Sequence, residues 1–478
     1  MNNEVRVRFA PSPTGYLHLG SLRTALFNYL FARHHNGKFI LRIEDTDQSR
    51  KVEGAVENLI NILMEMGLNY DEGPGVGGEF GPYFQSERLG IYKKYCDELL
   101  AGGHAYYAFE TAEELDEMRK VQQMQGKQTM YDRRARVLTE NEVKEKLASG
   151  IPYVIRLKVP LDTEIRFTDI IRGNVKIDTN LVDDQVLLKS DGFPTYHLAN
   201  VIDDHFMKIT HIIRGEEWLT SVPKHIILYN AFGWEVPQMA HVPLILNADK
   251  TKLSKRQGDV ATEDYLRKGY LKEALLNFMT LLGWNPGDGE EKEIFTKAEL
   301  IEKFSIERVN SAGAVFNVEK LNWMNGEYIK NYDIDALSEL IIPYLNADGI
   351  DTSDKIKTKR VIFAIRNYIN KLDEASEQAK VYYNEVKLND EQTAIVKAET
   401  SIQVFNALAA KIEAMLEITA DNFKPVLSEV QKETGVKGKN LFLPVRLALT
   451  GEEHGPELGM IAYVLGKEEV LKRLQNRI

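Results

Sequence analysis

The sequence predicts an α/β, Rossmann-like domain that carries an inserted α+β module and is followed by an all-α C-terminal region. Strand-like and helix-like patterns alternate from residue 4 to about residue 102, which is typical of a parallel sheet covered by helices. The pattern then changes to short strands of a different kind and returns to α/β near residue 195. From Leu321 to the end nearly every segment has a helical pattern. We therefore expect an interrupted nucleotide-binding fold.

The first elements follow one another closely. Residues 4–9 alternate polar and apolar side chains as a strand does, and the P-S-P-T-G segment after them excludes a helix. Ser21 is a candidate cap for the next helix, and Gly37 ends that helix. The patterns that follow predict a helix, a strand and two further helices at 22–35, 38–44, 51–67 and 86–102.

The inserted module begins with a charged, mostly helical stretch from Thr111 to Gly150. The segments P-Y-V-I-R-L-K-V-P and D-Q-V-L-L-K-S after it favour antiparallel strands. The predicted domains are a Rossmann-like domain at 1–85 and 195–248, an inserted module at 86–194, a helical domain with a basic loop at 249–321, and an all-α region at 322–478.

Composition narrows the class of protein. The 478 residues include 44 % hydrophobic and 27 % charged residues, which is ordinary for a globular protein, and the net charge is −11. No apolar run approaches the roughly 18 residues of a membrane span, and the N-terminus has no apolar signal core. The only cysteine is Cys96, which excludes an internal disulfide framework and a multi-cysteine zinc site. We expect a cytoplasmic protein.

Two distant motifs together predict an ATP site. The segment R-F-A-P-S-P-T-G-Y-L-H-L-G-S at 8–21 joins a strand to a helix N-terminus, where backbone N–H groups and the helix dipole favour an anion. In it, His18 can donate to phosphate oxygens and Gly20 permits a close approach. The K-L-S-K-R cluster at 252–256 can close over a developing pyrophosphate. Each motif alone fits a plain loop, but the two in this order and context favour nucleotide binding.

A third glycine-rich segment is not a nucleotide motif. Residues 73–78, G-P-G-V-G-G, fit G-x-G-x-x-G literally. They follow a helix-like segment rather than a strand, contain Pro74 and open no helix. We predict a loop.

Six segments occur in one order along the chain: P-S-P-T-G-Y-L-H-L-G-S, R-I-E-D-T-D, G-F-P-T-Y-H-L-A-N-V-I-D-D, I-I-R-G-E-E-W, K-L-S-K-R and L-N-W-M-N-G-E-Y-I. In them the chain resembles the bacterial-type glutamyl-tRNA synthetases, which are class I aminoacyl-tRNA synthetases, over essentially its whole length. Residues 18–21 correspond to the H-I-G-H element, from which Ser21 departs, and residues 252–256 correspond to K-M-S-K-S. The resemblance implies that glutamate is activated with ATP and transferred to the 3′ end of glutamate tRNA. It also implies that residues 86–194 take the tRNA acceptor end and that the all-α region binds the anticodon.

The resemblance implies roles for individual residues. The implied catalytic residues are His18, Gly20, Lys252 and Lys255. The implied ATP-binding residues are Pro11, Thr14, His18, Gly20, Ser21, Lys252, Ser254 and Lys255. The implied glutamate-binding residues are Arg8, Ser12, Glu44, Tyr196, Asn200 and Arg214. The implied tRNA-binding residues are Arg366, Tyr368, Arg446, Pro456 and Leu458.

The residue types at these positions also suit glutamate on chemical grounds. Arg8 and Arg214 lie at or near strand ends, where α/β ligands bind, and a guanidinium fork binds a carboxylate in bidentate fashion. Glu44, after the second strand, can pair with the α-ammonium group. Tyr196 and Asn200 lie one helical turn apart and can add hydrogen bonds.

The chain departs from the family at two places. Some members carry a zinc site of cysteines where this chain has A-Y-Y-A-F-E-T at 105–111, so we expect no structural zinc and no other dedicated metal site, and Mg²⁺ only with ATP. Members restricted to glutamate tRNA often carry an anticodon-reading arginine where our alignment places Tyr368, with Arg366 nearby. Charging of glutamine tRNA therefore stays open, as does the reading of Arg446 as a plain surface arginine.

Two other functions compete with the ligase. One is a catalytically inactive, tRNA-binding paralogue, against which the intact Arg8, His18, Glu44, Arg214 and Lys255 argue. The other is a small nucleotidyltransferase of the same superfamily, which would not need the helical half of the chain. We expect a monomer that acts on glutamate and tRNA and has no membrane partner.

Overall fold

The computed structural model describes residues 4–50, 52–253, 261–287 and 289–477. The chain divides into two compact units. The first unit is Met1–Tyr265 with Leu276–Asn317, and the second unit is Leu266–Leu275 with Val318–Ile478.

The first unit begins with a β-α-β arrangement. Strand β1 (Arg6–Phe9) pairs in parallel with β2 (Lys38–Leu41), and helix α1 (Leu19–His34) connects them. The cap of α1 is His18, whose Nδ1 accepts a hydrogen bond from Gly20 N over 3.1 Å. The prediction that Ser21 caps this helix is wrong, because the helix begins at Leu19, three residues before the predicted start at Leu22.

Gly37 ends the connection between α1 and β2 for a steric reason. A Cβ atom at this position would lie 2.2 Å from the carbonyl oxygen of Val5, so no larger residue fits. The Gly37 N–H instead donates to Ala32 O over 2.8 Å, which closes the end of the helix. The next strand can therefore start directly beside β1.

A four-stranded sheet in the order β6-β5-β9-β8 continues the α/β part. Its strands are β5 (Glu164–Asp169), β6 (Gly173–Asp178), β8 (His211–Gly215) and β9 (Gln238–Val242). Strand β9 is parallel to both β8 and β5, and β5 is antiparallel to β6. The start of β8 lies beside β1, since Thr210 N donates to Arg6 O over 2.9 Å. The carboxyl ends of β1 and β8 therefore share one edge.

The middle of the first unit confirms the predicted change from an α/β pattern to short antiparallel strands. An antiparallel sheet in the order β3-β4-β7 is formed by Ala105–Ala108, Val154–Leu157 and Val186–Leu188. A short parallel pair, β10 (Ile245–Leu246) and β11 (Ala314–Val315), comes later. The other helices of this unit are α2 (Ala55–Glu65), α3 (Leu89–Ala101), α4 (Ala112–Met124), α5 (Glu140–Ala148), α6 (Tyr196–Phe206), α7 (Val222–Ala231) and α10 (Lys297–Lys303). The segment 73–78 is a loop, as predicted.

The second unit is helical throughout its described part, which confirms the prediction of an all-α C-terminal region. Its helices are α11 (Val318–Asn331), α12 (Ile334–Ala347), α13 (Lys355–Ile365), α14 (Ala375–Tyr383), α15 (Asp390–Val396), α16 (Glu399–Glu413), α17 (Phe423–Thr434), α18 (Lys439–Thr450) and α19 (Leu458–Gln475). Helices α8 (Thr262–Arg267) and α9 (Lys272–Leu281) contain residues of both units. Among the described helices, none is long and apolar enough to cross a membrane.

Candidate active site

A cleft of about 620 Å³ opens where β1 and β8 end and where α1 and α6 begin. Ligands of α/β folds bind at the carboxyl ends of parallel strands, and helix N-termini attract anions. The structure brings ten of the predicted residues to the lining of this cleft: Arg8, Pro11, Ser12, Thr14, Gly20, Ser21, Glu44, Tyr196, Asn200 and Arg214.

Arg8 is held in place by Asp204 on α6. The Arg8 Nε and Nη2 groups donate to the two Asp204 carboxylate oxygens over 3.0 and 3.2 Å. Both side chains are buried, which makes this charge-assisted pair rigid. The pair fixes the plane of a guanidinium that lines the cleft.

Arg42 joins this pair to Glu44. It is fully buried and donates to Asp204 Oδ1 over 2.7 Å and to Glu44 Oε1 over 3.1 Å. Burial alone would lower the pKa of Arg42, but Asp204, Glu44 and Asp203 hold it well above its usual value. Burial also raises the pKa of Glu44, although Arg42 and Arg8 oppose that change. The floor of the cleft is thus a connected charge network.

Arg214 is fixed from three sides. Its Nη1 donates to the Tyr196 hydroxyl over 2.6 Å, its Nη2 to Trp218 O over 3.4 Å, and its Nε to His241 Nε2 over 3.1 Å. The Tyr196 and Trp218 rings lie 4.2 Å apart at 37° and cover this side of the cleft. His241 in turn contacts Asp169 Oδ2 through Nδ1 over 2.6 Å.

Asn200 adds a polar group beside Glu44. As predicted, it lies one helical turn after Tyr196, on α6. Its Nδ2 donates to Glu44 Oε1 over 3.4 Å, and its buried Oδ1 has no hydrogen-bond partner among the described residues. A carbonyl oxygen and a carboxylate side by side are suited to accept hydrogen bonds from an ammonium group.

His18 is not among the residues that line the cleft. It is the N-cap of α1, and Gly20 and Ser21 in the first turn of that helix do line the cleft. Because His18 Nδ1 accepts from Gly20 N, the neutral ring carries its hydrogen on Nε2. The histidine therefore fixes the start of the helix and presents a donor on its other nitrogen.

The predicted basic loop is only partly described. Lys252 is exposed and forms a backbone bridge with Leu246. Ser254 and Lys255 lie outside the described residues.

The predicted tRNA-binding residues lie in the second unit. Arg446 Nη1 donates to Pro456 O over 2.8 Å, and Leu458 starts the next helix. Burial lowers the pKa of Arg446, while the nearby hydroxyls of Tyr368 and Tyr382 oppose that change. Tyr368 is half exposed. The structure thus brings Arg446, Pro456 and Tyr368 into one neighbourhood.

The helix α13 and the residues after it display basic side chains over aromatic rings. The guanidinium of Arg366 lies 4.5 Å from the centre of the Phe363 ring, and Lys357 Nζ lies 4.5 Å from that of Tyr383. In the first unit, by contrast, Arg133 and Arg136 are bound to the buried Asp184. Their ion pairs with Asp184 leave these two guanidinium groups less available for phosphates.

Sequence reasoning missed the residues that support the pocket. Asp204 and Arg42 lie inside segments that carried the resemblance, and the signal that could have found Asp204 is its position on the buried face of α6. His241 and Asp169 gave no signal, because each lies in a short strand with ordinary composition. Among the residues that the structure describes, no group of three or more His, Cys, Asp or Glu is placed to hold a metal ion.

Comparison with known families gives two matches. Residues 4–323 match the family described as tRNA synthetases class I (E and Q), catalytic domain. Residues 336–478 match the family described as anticodon binding domain. The predicted fold class, an α/β catalytic domain followed by a helical anticodon-binding region, is confirmed.

Relatives that match over the whole length of the chain support the same family assignment. The chain is 48 % identical to the glutamate–tRNA ligase of Clostridioides difficile (strain 630), with 98 % of each chain covered. It is 49 % identical to that of Chlorobaculum parvum, with 99 % of this chain and 97 % of the relative covered. A solved glutamate tRNA ligase from Elizabethkingia meningosepticum, in complex with its amino acid, superposes with a TM-score of 0.91 at 38 % identity over 99 % of each chain. The predicted resemblance is confirmed, and the chain belongs to the glutamate–tRNA ligases, within the class I tRNA synthetases.

Proposed function

We propose that the cleft binds glutamate by matching its charges. Glutamate carries two carboxylates and one ammonium group, and the cleft offers two buried arginines, Arg8 and Arg214, and one buried carboxylate, Glu44. This convergence of charges is the observation that carries the proposal. Arg214 and Arg8 supply positive charge for the side-chain carboxylate, and Glu44 with Asn200 accepts hydrogen bonds from the ammonium group. Tyr196 and Ser12 contribute the remaining hydrogen bonds.

ATP then lies at the N-terminus of α1. Its phosphates face the backbone N–H groups of the helix start and the His18 ring, since both favour an anion. Pro11, Thr14, Gly20 and Ser21 complete the nucleotide site, together with Lys252, Ser254 and Lys255 of the basic loop. Mg²⁺ enters as part of the ATP substrate, held by phosphate oxygens and water.

The reaction proceeds in two steps. An oxygen of the glutamate α-carboxylate attacks the α-phosphorus of ATP, the bond to the β-phosphate oxygen breaks, and pyrophosphate leaves. A ribose hydroxyl at the 3′ end of the tRNA then attacks the activated carbonyl carbon, and AMP leaves. His18 and Lys255 stabilise charge that develops on the phosphates, so the protein needs no nucleophile of its own.

The tRNA spans several parts of the chain in this proposal. Residues 86–194 take the acceptor end, residues 249–321 take the stem, and residues 322–478 take the anticodon. Arg446 and Tyr368 suit single-stranded anticodon bases, which are recognised by stacking and by hydrogen bonds to their edges. The protein acts as a cytoplasmic monomer.

Glutamine tRNA is a second substrate in this proposal. Tyr368 stands at the position that our alignment assigns to the arginine by which restricted members read the third anticodon base. A tyrosine lacks the fixed charge and the five donors of a guanidinium and therefore discriminates less sharply between bases.

The test is parallel aminoacylation of purified glutamate tRNA and glutamine tRNA with ATP and labelled glutamate. Charging of both supports the whole proposal. Charging of glutamate tRNA alone removes the part that concerns Tyr368. Charging of neither by folded protein overturns the proposal and favours the tRNA-binding paralogue.

A further inference from the structure

The side chain of Arg214 is oriented by a neutral histidine. The Arg214 Nε atom always carries a hydrogen, so His241 Nε2, at 3.1 Å, must accept it. The His241 hydrogen therefore lies on Nδ1, where it is donated to Asp169 Oδ2 over 2.6 Å. Neither His241 nor Asp169 is exposed to solvent.

The Asp169 carboxylate is fixed in turn by the backbone. Its Oδ1 accepts hydrogen bonds from the N–H groups of Ile171, Arg172 and His241 over 3.0, 2.9 and 3.3 Å. Asp169 ends β5, whose end pairs with β9 at Met239. A series of hydrogen bonds therefore connects Asp169, His241 and Arg214, from the sheet to the cleft. None of these side chains can reorient without losing a hydrogen bond.

We infer that Asp169 and His241 are positioning residues that fix the Arg214 guanidinium for the side-chain carboxylate of glutamate. This inference rests on the proposed binding of glutamate by Arg214. A preorganised guanidinium loses less conformational freedom when the carboxylate binds, so the pair favours affinity for glutamate rather than for ATP. Asp169 lies within residues 86–194, so part of this segment supports the amino-acid pocket.

Electrostatics keep the histidine in the required state. Burial lowers the pKa of His241, and the charges of Arg214 and Arg172 lower it further, while Asp169 opposes them. The ring is therefore neutral at physiological pH and accepts the Arg214 hydrogen bond.

Replacing Asp169 with asparagine tests the orientation of the ring. In Asp169→Asn the amide oxygen stays at the Oδ1 position, because three backbone N–H groups point there. The NH₂ group then points at His241 Nδ1 and forces the ring hydrogen onto Nε2, where it faces Arg214 Nε–H. We expect the KM for glutamate to rise about ten- to a hundredfold, the effect of losing a hydrogen bond to a charged group, with an unchanged KM for ATP.

Two substitutions of the histidine separate its chemistry from its volume. His241→Leu removes the acceptor and is expected to raise the glutamate KM as much as Asp169→Asn does. His241→Gln offers Oε1 to Arg214 Nε, so its rise should be at most a third of that in His241→Leu. Asp178→Asn is the matched control, since Asp178 ends the neighbouring strand β6 with an exposed side chain.

The measurement is aminoacylation at saturating tRNA, with glutamate and ATP varied in turn and thermal unfolding recorded for each variant. A glutamate KM within twofold of the parent in Asp169→Asn and His241→Leu overturns the inference. Equal effects of His241→Gln and His241→Leu, or equal rises in the KM for ATP, overturn it as well. If Asp169→Asn does not fold, the two histidine variants decide. A parent protein that charges no tRNA contradicts the proposed function instead.

Discussion

Arg42 and Asp204 form an ion pair of 2.7 Å in which solvent reaches neither side chain. The same carboxylate accepts both hydrogen bonds that orient Arg8. Asp204 does not line the cleft, yet it sets the charge balance of the cleft floor. The affinity of this cleft for an anionic ligand therefore depends on a residue beneath it.

Removing the charge of Asp204 tests this dependence. Asp204→Asn leaves two buried guanidinium groups with one carboxylate fewer, and breaking a buried ion pair costs about 3 kcal/mol or more. We expect a lower thermal unfolding temperature and a higher KM for glutamate. Asp116→Asn is the control, because Asp116 pairs with Arg119 on the exposed surface and should change neither quantity. Equal unfolding temperatures for the parent and Asp204→Asn would contradict the prediction.

The same substitution has a defined pH dependence. Burial would raise the pKa of Asp204, but Arg8 and Arg42 outweigh it and lower that pKa below its ordinary value. The ionised carboxylate therefore stabilises the folded state above the ordinary pKa of about 3.9 and loses that contribution as pH falls through the lower folded value. The stability difference between the parent and Asp204→Asn should be constant from pH 5 to pH 7, which urea unfolding at several pH values measures.

Removing the charge of Asp204 should lower both stability and glutamate affinity, whereas removing the charge of Glu44 should lower activity without lowering stability. Burial raises the pKa of Glu44, so the folded protein holds an ionised carboxylate at neutral pH at a cost in stability. Glu44→Gln should therefore unfold at an equal or higher temperature than the parent at pH 7. The advantage should disappear below the ordinary carboxyl pKa of about 4.3, where the parent is protonated in both states.

Charging should nevertheless fall about a hundredfold in Glu44→Gln, because the ammonium group of glutamate loses its ionic partner. Thermal unfolding and aminoacylation of the same preparation measure both effects. A variant that is less stable at pH 7 and still charges tRNA would show that Glu44 is structural. The control is Glu53→Gln, because Glu53 lies on an exposed turn. Asn58→Asp is unsuitable, because Asn58 donates a hydrogen bond to Glu263.

The sequence predicted the residues that line the cleft better than the residues that hold them in place. The family resemblance implied Arg8, Tyr196 and Arg214, and these residues lie at strand ends and helix starts that local patterns of polar and apolar residues indicate. The contacts that orient them join residues far apart in the chain: Arg42 and Asp204 are 162 residues apart, and Asp169 and His241 are 72 apart. Such contacts depend on the order of strands in the sheet, which local patterns do not encode.

The capping error has a similar cause. Serine is a common N-cap, and Ser21 follows a loop of prolines and glycine, so local preference favours it. The helix instead starts at Leu19, because the His18 ring accepts the Gly20 hydrogen bond and both Leu19 and Leu22 are fully buried. Tertiary burial of the first turn therefore outweighed the local preference for serine.

His18 combines capping with a proposed phosphate contact, and two substitutions separate these roles. Asparagine is among the best N-cap residues, so His18→Asn should keep the stability of α1, whereas His18→Ala should lose about 1 kcal/mol. Both should reduce charging about a hundredfold, because neither supplies the Nε2–H donor to the phosphates. Thermal unfolding together with steady-state kcat measures the separation. Near-parental kcat in His18→Asn would show that the residue only caps the helix.

Substitution of Arg446 is the most direct test of the proposed anticodon binding. The Nη1 of Arg446 is held by Pro456 O, and burial lowers its pKa while Tyr368 and Tyr382 oppose that change, so the guanidinium keeps its charge beside a half-exposed ring. If an anticodon base stacks there, Arg446→Ala should raise the KM for tRNA roughly tenfold, the usual loss for one stacked base. The KM for glutamate should stay unchanged, because the pocket that we propose for it lies in the first unit.

The matched control for Arg446 is Lys411→Ala in the same unit. Lys411 forms ion pairs with Glu429 and Glu433. Its removal therefore takes away one positive charge without removing a proposed anticodon contact. Steady-state aminoacylation with tRNA varied at saturating glutamate distinguishes the two variants. A KM for tRNA that rises equally in both would reflect net charge alone, and an unchanged KM in Arg446→Ala would identify it as a helix-surface arginine. Since the loss of a stacking contact does not depend on salt as the loss of a phosphate contact does, the effect of Arg446→Ala should persist from low to moderate ionic strength.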